Sequence, residues 1–343
     1  MRGIIIRCPD DMHFHPRTGK MLKNVLLCTS KVFPRGVVMG NLPKPVATTD
    51  DAQMYRAEIY CVDPNFSPIM TIMLTKSTTP QIVKEAFGRD VRVLKYIPNN
   101  VSTNSEEGVA LTELHNFYPV LETAEKLGMI FSGHWESPLD ESGAPLPEID
   151  REVHAIPFLQ EIVRHFPNLK VVVEHVTTRE MIQYVESAPK NVGATLTVHH
   201  AILNISNVCD SEGKIRSPDN YCKPIAKGMI DTDAIIRAMT SGNPKFFFGS
   251  DSAPHPMSAK EKIPPAAGIF TAPVALPLLC QLFEENDALS RLENFVSRFG
   301  AEFYGLPLNE GEITLRKNPW TVPDYLGLVH IFKGGKVLNW RIA

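Results

Sequence analysis

The chain has 343 residues, 43% of them hydrophobic and 21% charged, with a formal net charge of −3. That length suits one large barrel or two ordinary domains, and the near-neutral charge gives no footing for nucleic acid or an acidic membrane surface. Six scattered cysteines (Cys8, Cys28, Cys61, Cys209, Cys222 and Cys280) contain no Cys-x-x-Cys pair, which fits a reduced cytoplasmic protein better than a disulfide scaffold.

The N-terminus lacks a basic region followed by a long apolar run, so no signal peptide is expected. No apolar stretch approaches the ~20 residues that span a bilayer. Ile4-Ile5-Ile6 reads as the first buried strand. It leads into Asp11-Met12-His13-Phe14-His15-Pro16-Arg17, where two histidines one residue apart face the same way on extended backbone. Both imidazoles can then reach one metal ion, and Arg17 adds a planar fork suited to a carboxylate. Helical spacing follows over Lys20 to Lys31. Gly36 to Met39 is a strand running into the turn Gly40-Asn41-Leu42-Pro43. Thr48-Thr49-Asp50-Asp51 starts a helix that continues over Ala52 to Cys61. Ser67 to Leu74 is a strand, and Thr79-Pro80 opens a short helix through Ala86-Phe87.

Val91 to Ile97 is the fourth strand and carries Lys95. It ends in the polar loop Pro98 to Ser105. Leu111 to Leu127 reads as one long helix capped by Gly128. Met129 to His134 is a strand, and Ile149 to His165 is an amphipathic helix. Leu169 to Val173 is a strand ending in Glu174-His175, and Thr178 starts the next helix. Val192 to Val198 is a strand ending in His199-His200. Ile230 to Ser241 is helical. Phe246-Phe247-Phe248 is the eighth strand, with Gly249 to His255 as its exit loop.

Eight strands alternating with helices predict an α/β fold, a parallel (β/α)8 TIM barrel over residues 1–308. A doubly wound sheet competes, but it would spread the polar strand ends that a closed barrel gathers at one mouth. Residues 309–343 read as a C-terminal extension packed on the barrel, with Trp320 and Trp340 as packing residues.

His13, His15, His134, His175 and Asp251 all sit at such strand ends. Nitrogen and oxygen ligands suit zinc, ahead of manganese, cobalt or iron. Lys95 lies in an apolar strand where an ammonium is costly to bury. It either reaches the mouth or a carboxylate, or is converted by CO2 into a carbamate able to bridge two metals.

These residues resemble the metal-dependent amidohydrolases, which share His-x-His on strand one, a strand-four lysine, histidines on strands five and six and an aspartate on strand eight. Within them the chain is similar to the dihydroorotases of the short, single-domain kind. The likeness runs from about Ile6 to Leu306 through Asp11 to Arg17, Thr103-Asn104-Ser105, Glu174 to Thr178, Ala194 to Thr197 with His200, Tyr221 to Lys227, and Phe248 to Pro256 followed by Ala267-Gly268. The resemblance implies reversible hydrolysis of the cyclic amide of L-dihydroorotate to N-carbamoyl-L-aspartate in pyrimidine biosynthesis. It implies two zinc ions, one held by His13, His15 and Asp251 and one by His134 and His175. Carbamylated Lys95 (N6-carboxylysine) and a hydroxide would bridge them, with Asp251 as general acid and base. Arg17, Asn41 and His255 would hold the substrate carboxylate, helped by backbone near Lys223 and Ala267. Ser102 and Thr103 would ride on a mobile loop, and the subunits would form a homodimer. His200 supports the site from behind or is structural.

Three positions depart from the family pattern: Gly40 replaces a proline, Trp135 replaces a glycine, and Ile97 stands where a tyrosine is usual, with Tyr96 one place early. A one-residue offset on a strand turns the side chain to the other face. Rival readings are a dihydropyrimidinase or hydantoinase, a one-metal deaminase, and an inactive scaffold.

Overall fold

The computed structural model describes residues 3–343. Eight parallel strands pair in chain order: β2 (Asp10–Phe14), β3 (Arg35–Val38), β4 (Ser67–Met73), β5 (Val91–Tyr96), β6 (Ile130–Gly133), β7 (Lys170–Val173), β8 (Val192–Leu196) and β9 (Phe246–Phe248). Most of these strands are buried on both faces, as a sheet wrapped by helices requires, so they read as unbroken apolar runs rather than alternating ones. Helices α1 (Gly19–Ser30), α2 (Thr49–Val62), α3 (Pro80–Gly88), α4 (Tyr118–Leu127), α5 (Arg151–His165), α6 (Arg179–Ser187) and α7 (Met229–Thr240) connect them, and α8 (Met257–Lys260), α9 (Ala275–Glu285) and α10 (Phe299–Tyr304) follow β9. The architecture is the TIM barrel expected from the sequence.

The first strand differs from expectation. Gly3–Arg7, here β1, lies outside the barrel and pairs antiparallel with β10 (Glu312–Thr321), whose other edge carries β13 (Val337–Ile342). A short hairpin, β11 (Tyr325–Leu326) and β12 (Val329–His330), lies between. Ile5 is 62% exposed, so the isoleucine run marks a small surface sheet and not the barrel core. The true first barrel strand reads Asp-Asp-Met-His-Phe. Its polar side chains draw most of their partners from afar: Asp10 accepts from Arg35 Nε and Nη2 at 2.8 Å each, and Asp11 accepts from Ser250 N at 2.8 Å as well as from nearby His13 N at 3.2 Å.

One further difference is local. The expected helix from Leu111 to Leu127 is a 3-10 segment, Leu111–Phe117, followed by α4, which starts just before Pro119; a proline in a first turn needs no N–H partner. Gly128 caps it in the left-handed conformation, at φ 73°. In α2, Thr48 and Asp51 cap each other's backbone in a capping box.

The barrel interior is a separate apolar cluster of Met12, Val37, Met39, Ile69, Val93, Ile130, Val172 and Phe247, closed by Ala301 of α10 with Phe299, Phe303 and Leu306. The seam between the first and last barrel strands is closed past the end of β9, by Asp251 N donating to His13 O at 2.8 Å and His15 N donating to Ser252 O at 3.0 Å. Trp340 is fully buried, with its Nε1 donating to Glu284 Oε2 at 2.9 Å, while Trp320 donates to Trp340 O.

Candidate active site

The mouth at the strands' C-terminal ends holds a cavity of about 400 Å³ lined by His13, His15, Arg17, Asn41, Lys95, Ile97, Ser102, Thr103, His134, His175, Lys223, Asp251, Ala253, Ala267 and Gly268. Every site residue expected from the sequence lines it except His255, which contacts two of the lining residues.

Two donor groups converge within it. His13 Nε2, His15 Nε2 and Asp251 Oδ1 lie 3.1–3.3 Å from one another. On the far side, His134 Nδ1 and His175 Nε2 are 3.2 Å apart, and the His13 and His175 ring centroids are 5.0 Å apart. Atoms bound about 2.1 Å from one ion stand at such separations, and the N/O donor set suits zinc. His175 Nδ1 has no hydrogen-bond partner among the described residues. The residues present therefore fit bound metal.

The protein fixes these rings. His134 Nε2 donates to Glu136 Oε2 at 2.7 Å, which leaves Nδ1 facing His175. His175 N donates to Thr195 Oγ1 at 2.8 Å. Arg17, His175 and Asp251 all have left-handed backbone, at φ 63°, 41° and 42°. Side chains rarely adopt that region, and here it aims three site residues off their strand ends.

Burial lowers the pKa of His13, His15, His134 and His175, His15 to about 3, so all are neutral and free to ligate. Burial pushes the Asp251 carboxyl up, but its contacts with His13 and His15 outweigh that and hold it well below the usual carboxylate range. Burial lowers Lys95 to about 7. Its amine contacts the Glu174 carboxylate, which also accepts from Ser132 Oγ at 2.7 Å.

Arg17 is held at the rim, donating through Nε to Pro254 O at 3.0 Å and lying 3.0 Å through Nη2 from His255 Nε2. The same His255 nitrogen is 2.9 Å from Ala267 O. A neutral imidazole nitrogen serves one of these and not both. Burial lowers Arg17 only to about 10, so it stays charged, and among the described residues no carboxylate pairs with it. Asn41 Nδ2 donates to Thr103 O and Asn104 Nδ2 donates to Asn41 O, both at 3.1 Å, which seats the Ser102-Thr103 loop over the cavity. Lys223 Nζ is 3.4 Å from Glu148 Oε1.

At the departures, Ile97 lines the cavity, while Tyr96 faces outward against Phe131 and Trp135. Trp135 lies over Gly133, where an added Cβ would meet its Nε1 at 2.6 Å. Sequence reasoning assigned no role to Glu136, Glu174 or Asp11. The one signal for Glu136 was its two-residue offset from His134, which puts both side chains on one face of extended chain.

No protein-family model matches the chain. A curated dihydroorotase from Teredinibacter turnerae is 41% identical over 343 residues, covering 97% of each chain. Among solved structures, dihydroorotase from Saccharomyces cerevisiae in complex with 5-fluoroorotic acid superposes with a TM-score of 0.92 at 31% identity, covering 100% of this chain and 99% of that one. Dihydroorotase from Campylobacter jejuni gives 0.89, also at 31% identity, over 99% and 97%. Likeness of this order across nearly the whole of both chains shows common membership, and the chain belongs to the dihydroorotases, hydrolases built on the amidohydrolase barrel.

Proposed function

We propose that the chain carries out the dihydroorotase reaction, L-dihydroorotate to N-carbamoyl-L-aspartate and back, with two zinc ions per subunit. His13, His15 and Asp251 would hold one ion and His134 and His175 the other, with Lys95, as a carbamate, as a further ligand. The observation that carries this is one cavity joining the buried histidine–aspartate cluster to a charged Arg17 that no carboxylate among the described residues pairs with. A ring amide bearing a carboxylate answers both halves. The yeast relative's complex with 5-fluoroorotic acid, a carboxylated pyrimidine, supports the same choice.

When bound, a metal pair lowers the pKa of water toward about 7 and polarises the amide carbonyl. The residues do the rest. Lys95, depressed to about 7, has the free amine that CO2 requires at neutral pH. Arg17, Asn41 and His255 take the carboxylate, so the ring lies with its amide toward the histidines. With His255 accepting from Arg17, Ala267 O is free to accept the ring N–H, beside the backbone of Lys223. Asp251, ionised and held by two histidines, takes the proton of the attacking water and delivers it to the leaving nitrogen; in reverse it takes that proton back. The Ser102-Thr103 loop opens for exchange and closes to keep out bulk water. The subunits pair as homodimers in the cytoplasm, and the barrel proper ends near residue 308.

The test is ultraviolet-monitored hydrolysis of L-dihydroorotate beside dihydrouracil and hydantoin, before and after metal stripping. Turnover of dihydroorotate alone, lost on stripping and restored by zinc, is expected. Turnover of the uncharged rings instead would make this a dihydropyrimidinase-type amidase with Arg17 in a structural role.

A further inference from the structure

We propose that His199, His200 and Cys222 form a further metal site, separate from the catalytic pair, that takes zinc or a similarly soft cation. His199 and His200 lie in the turn after β8, and Cys222 lies on the segment that carries Lys223. All three are buried, at 0%, 1% and 1% exposure. One donor atom from each lies within 4.8 Å of the others. His200 Nε2 is 3.3 Å from Cys222 Sγ, and Pro224 O is 2.9 Å from that nitrogen and 3.4 Å from the sulfur.

Two observations point to a cation. His199 is fully enclosed, its ring centroid 4.3 Å from that of His200, yet neither of its nitrogens has a hydrogen-bond partner among the described residues. Buried polar atoms are rarely left so. Secondly, His200 Nδ1 is 2.8 Å from Thr197 Oγ1, the kind of contact that fixes a ligating ring by its other nitrogen. Two imidazoles and a thiol suit zinc, and Pro224 O stands by as a further donor. Binding exchanges the thiol proton for the metal: the S–H bond breaks, a sulfur–metal bond forms, and one proton leaves to solvent.

The site would act through position. Cys222 adjoins Lys223, which lines the substrate cavity, and Tyr221 O accepts from Gly268 N at 2.9 Å. A cation here pins the Tyr221–Pro224 segment to the end of β8 and so steadies one wall of the cavity.

The experiment is cobalt reconstitution of the stripped full-length protein, followed by absorption spectroscopy and metal analysis. The proposed catalytic ligands include no sulfur, so a sulfur-to-cobalt charge-transfer band in the near ultraviolet reports a thiolate ligand outside that pair, and the comparison with Cys222→Ser assigns it among the six free cysteines. It is expected in the unmodified protein and absent from Cys222→Ser, which should also bind one metal equivalent fewer. No such band, or a band unchanged in Cys222→Ser, overturns the site. Should Cys222→Ser fail to fold, His199→Gln replaces it: a weakened or shifted band supports the site, and an unchanged band with full metal content overturns it. Failure of the catalytic reading looks different, since the visible cobalt bands would then be independent of Lys95 while the thiolate band stayed.

Discussion

Asp251 is held ionised by His13 and His15 at 3.1–3.3 Å, so its charge and its geometry are separable. Asp251→Asn is expected to keep the fold and to lose roughly 10²- to 10⁴-fold in kcat, the range for removing a general acid–base. Retained activity would remove it from that role. Lys95→Ala should carry less metal and show no turnover, and short carboxylic acids should restore part of both by standing in for the carbamate. Unchanged metal content and activity would refute the bridge. Arg17→Ala should weaken dihydroorotate by about 1.5–3 kcal/mol, the range for a hydrogen bond to a charged group, seen as a raised KM. An unchanged KM would dismiss it as the carboxylate partner. His134, His175 and Asp251 were legible in the sequence because each stands at or just past the end of an apolar run, where a polar residue has no packing role; Lys95 stood out as a charge inside such a run, and His13, His15 and Arg17 through their close spacing in one motif. Glu174 and Asp11 were not legible as partners, because what each touches, Lys95 for one and Ser250 for the other, lies far away in sequence.

Among the elements, β6 shows how one substitution in a motif is absorbed locally. Trp135 packs on Tyr96 and Phe131, with ring centroids 5.4 and 5.9 Å away, and rests where a Cβ on Gly133 would be. Gly133→Ala should therefore cost about 1–3 kcal/mol in urea unfolding, as overpacking does. The cost should largely vanish in a Trp135→Gly background, and equal costs in both would show that the tryptophan is not the clashing partner. Most strands were legible because a parallel barrel buries both faces, leaving runs such as Val171-Val172-Val173 unmistakable. The first strand was misread for the same reason. Ile4 to Ile6 carries the apolar signal but serves the outer sheet, while Asp10–Phe14 hides its burial behind polar residues whose partners, Arg35, Ser250 and Asp251, are set by the fold.

Over the whole molecule, buried neutral histidines make the protein sensitive to acid. Desolvation lowers His200 to about 4 and His255 to about 3 from an ordinary 6.5. Between those values the unfolded chain binds protons that the folded chain refuses, so stability rises with pH there and is lost as pH falls below about 6.5. The metal-free protein should show a urea midpoint that drops steadily from about pH 6.5 to about pH 4. A flat midpoint over that range would show that these rings take up protons in the folded state.

The seam has a consequence for how the protein is made. His15 and Asp251 meet across 236 residues of chain, at the junction that also closes the barrel. During synthesis His13 and His15 leave the ribosome long before their third partner exists, so a truncated product lacks the trio however well its early strands form. On the proposed ligand set, metal capture by that trio would thereby certify a finished barrel: a nascent chain would acquire it only once the last barrel strand has been made and docked beside the first.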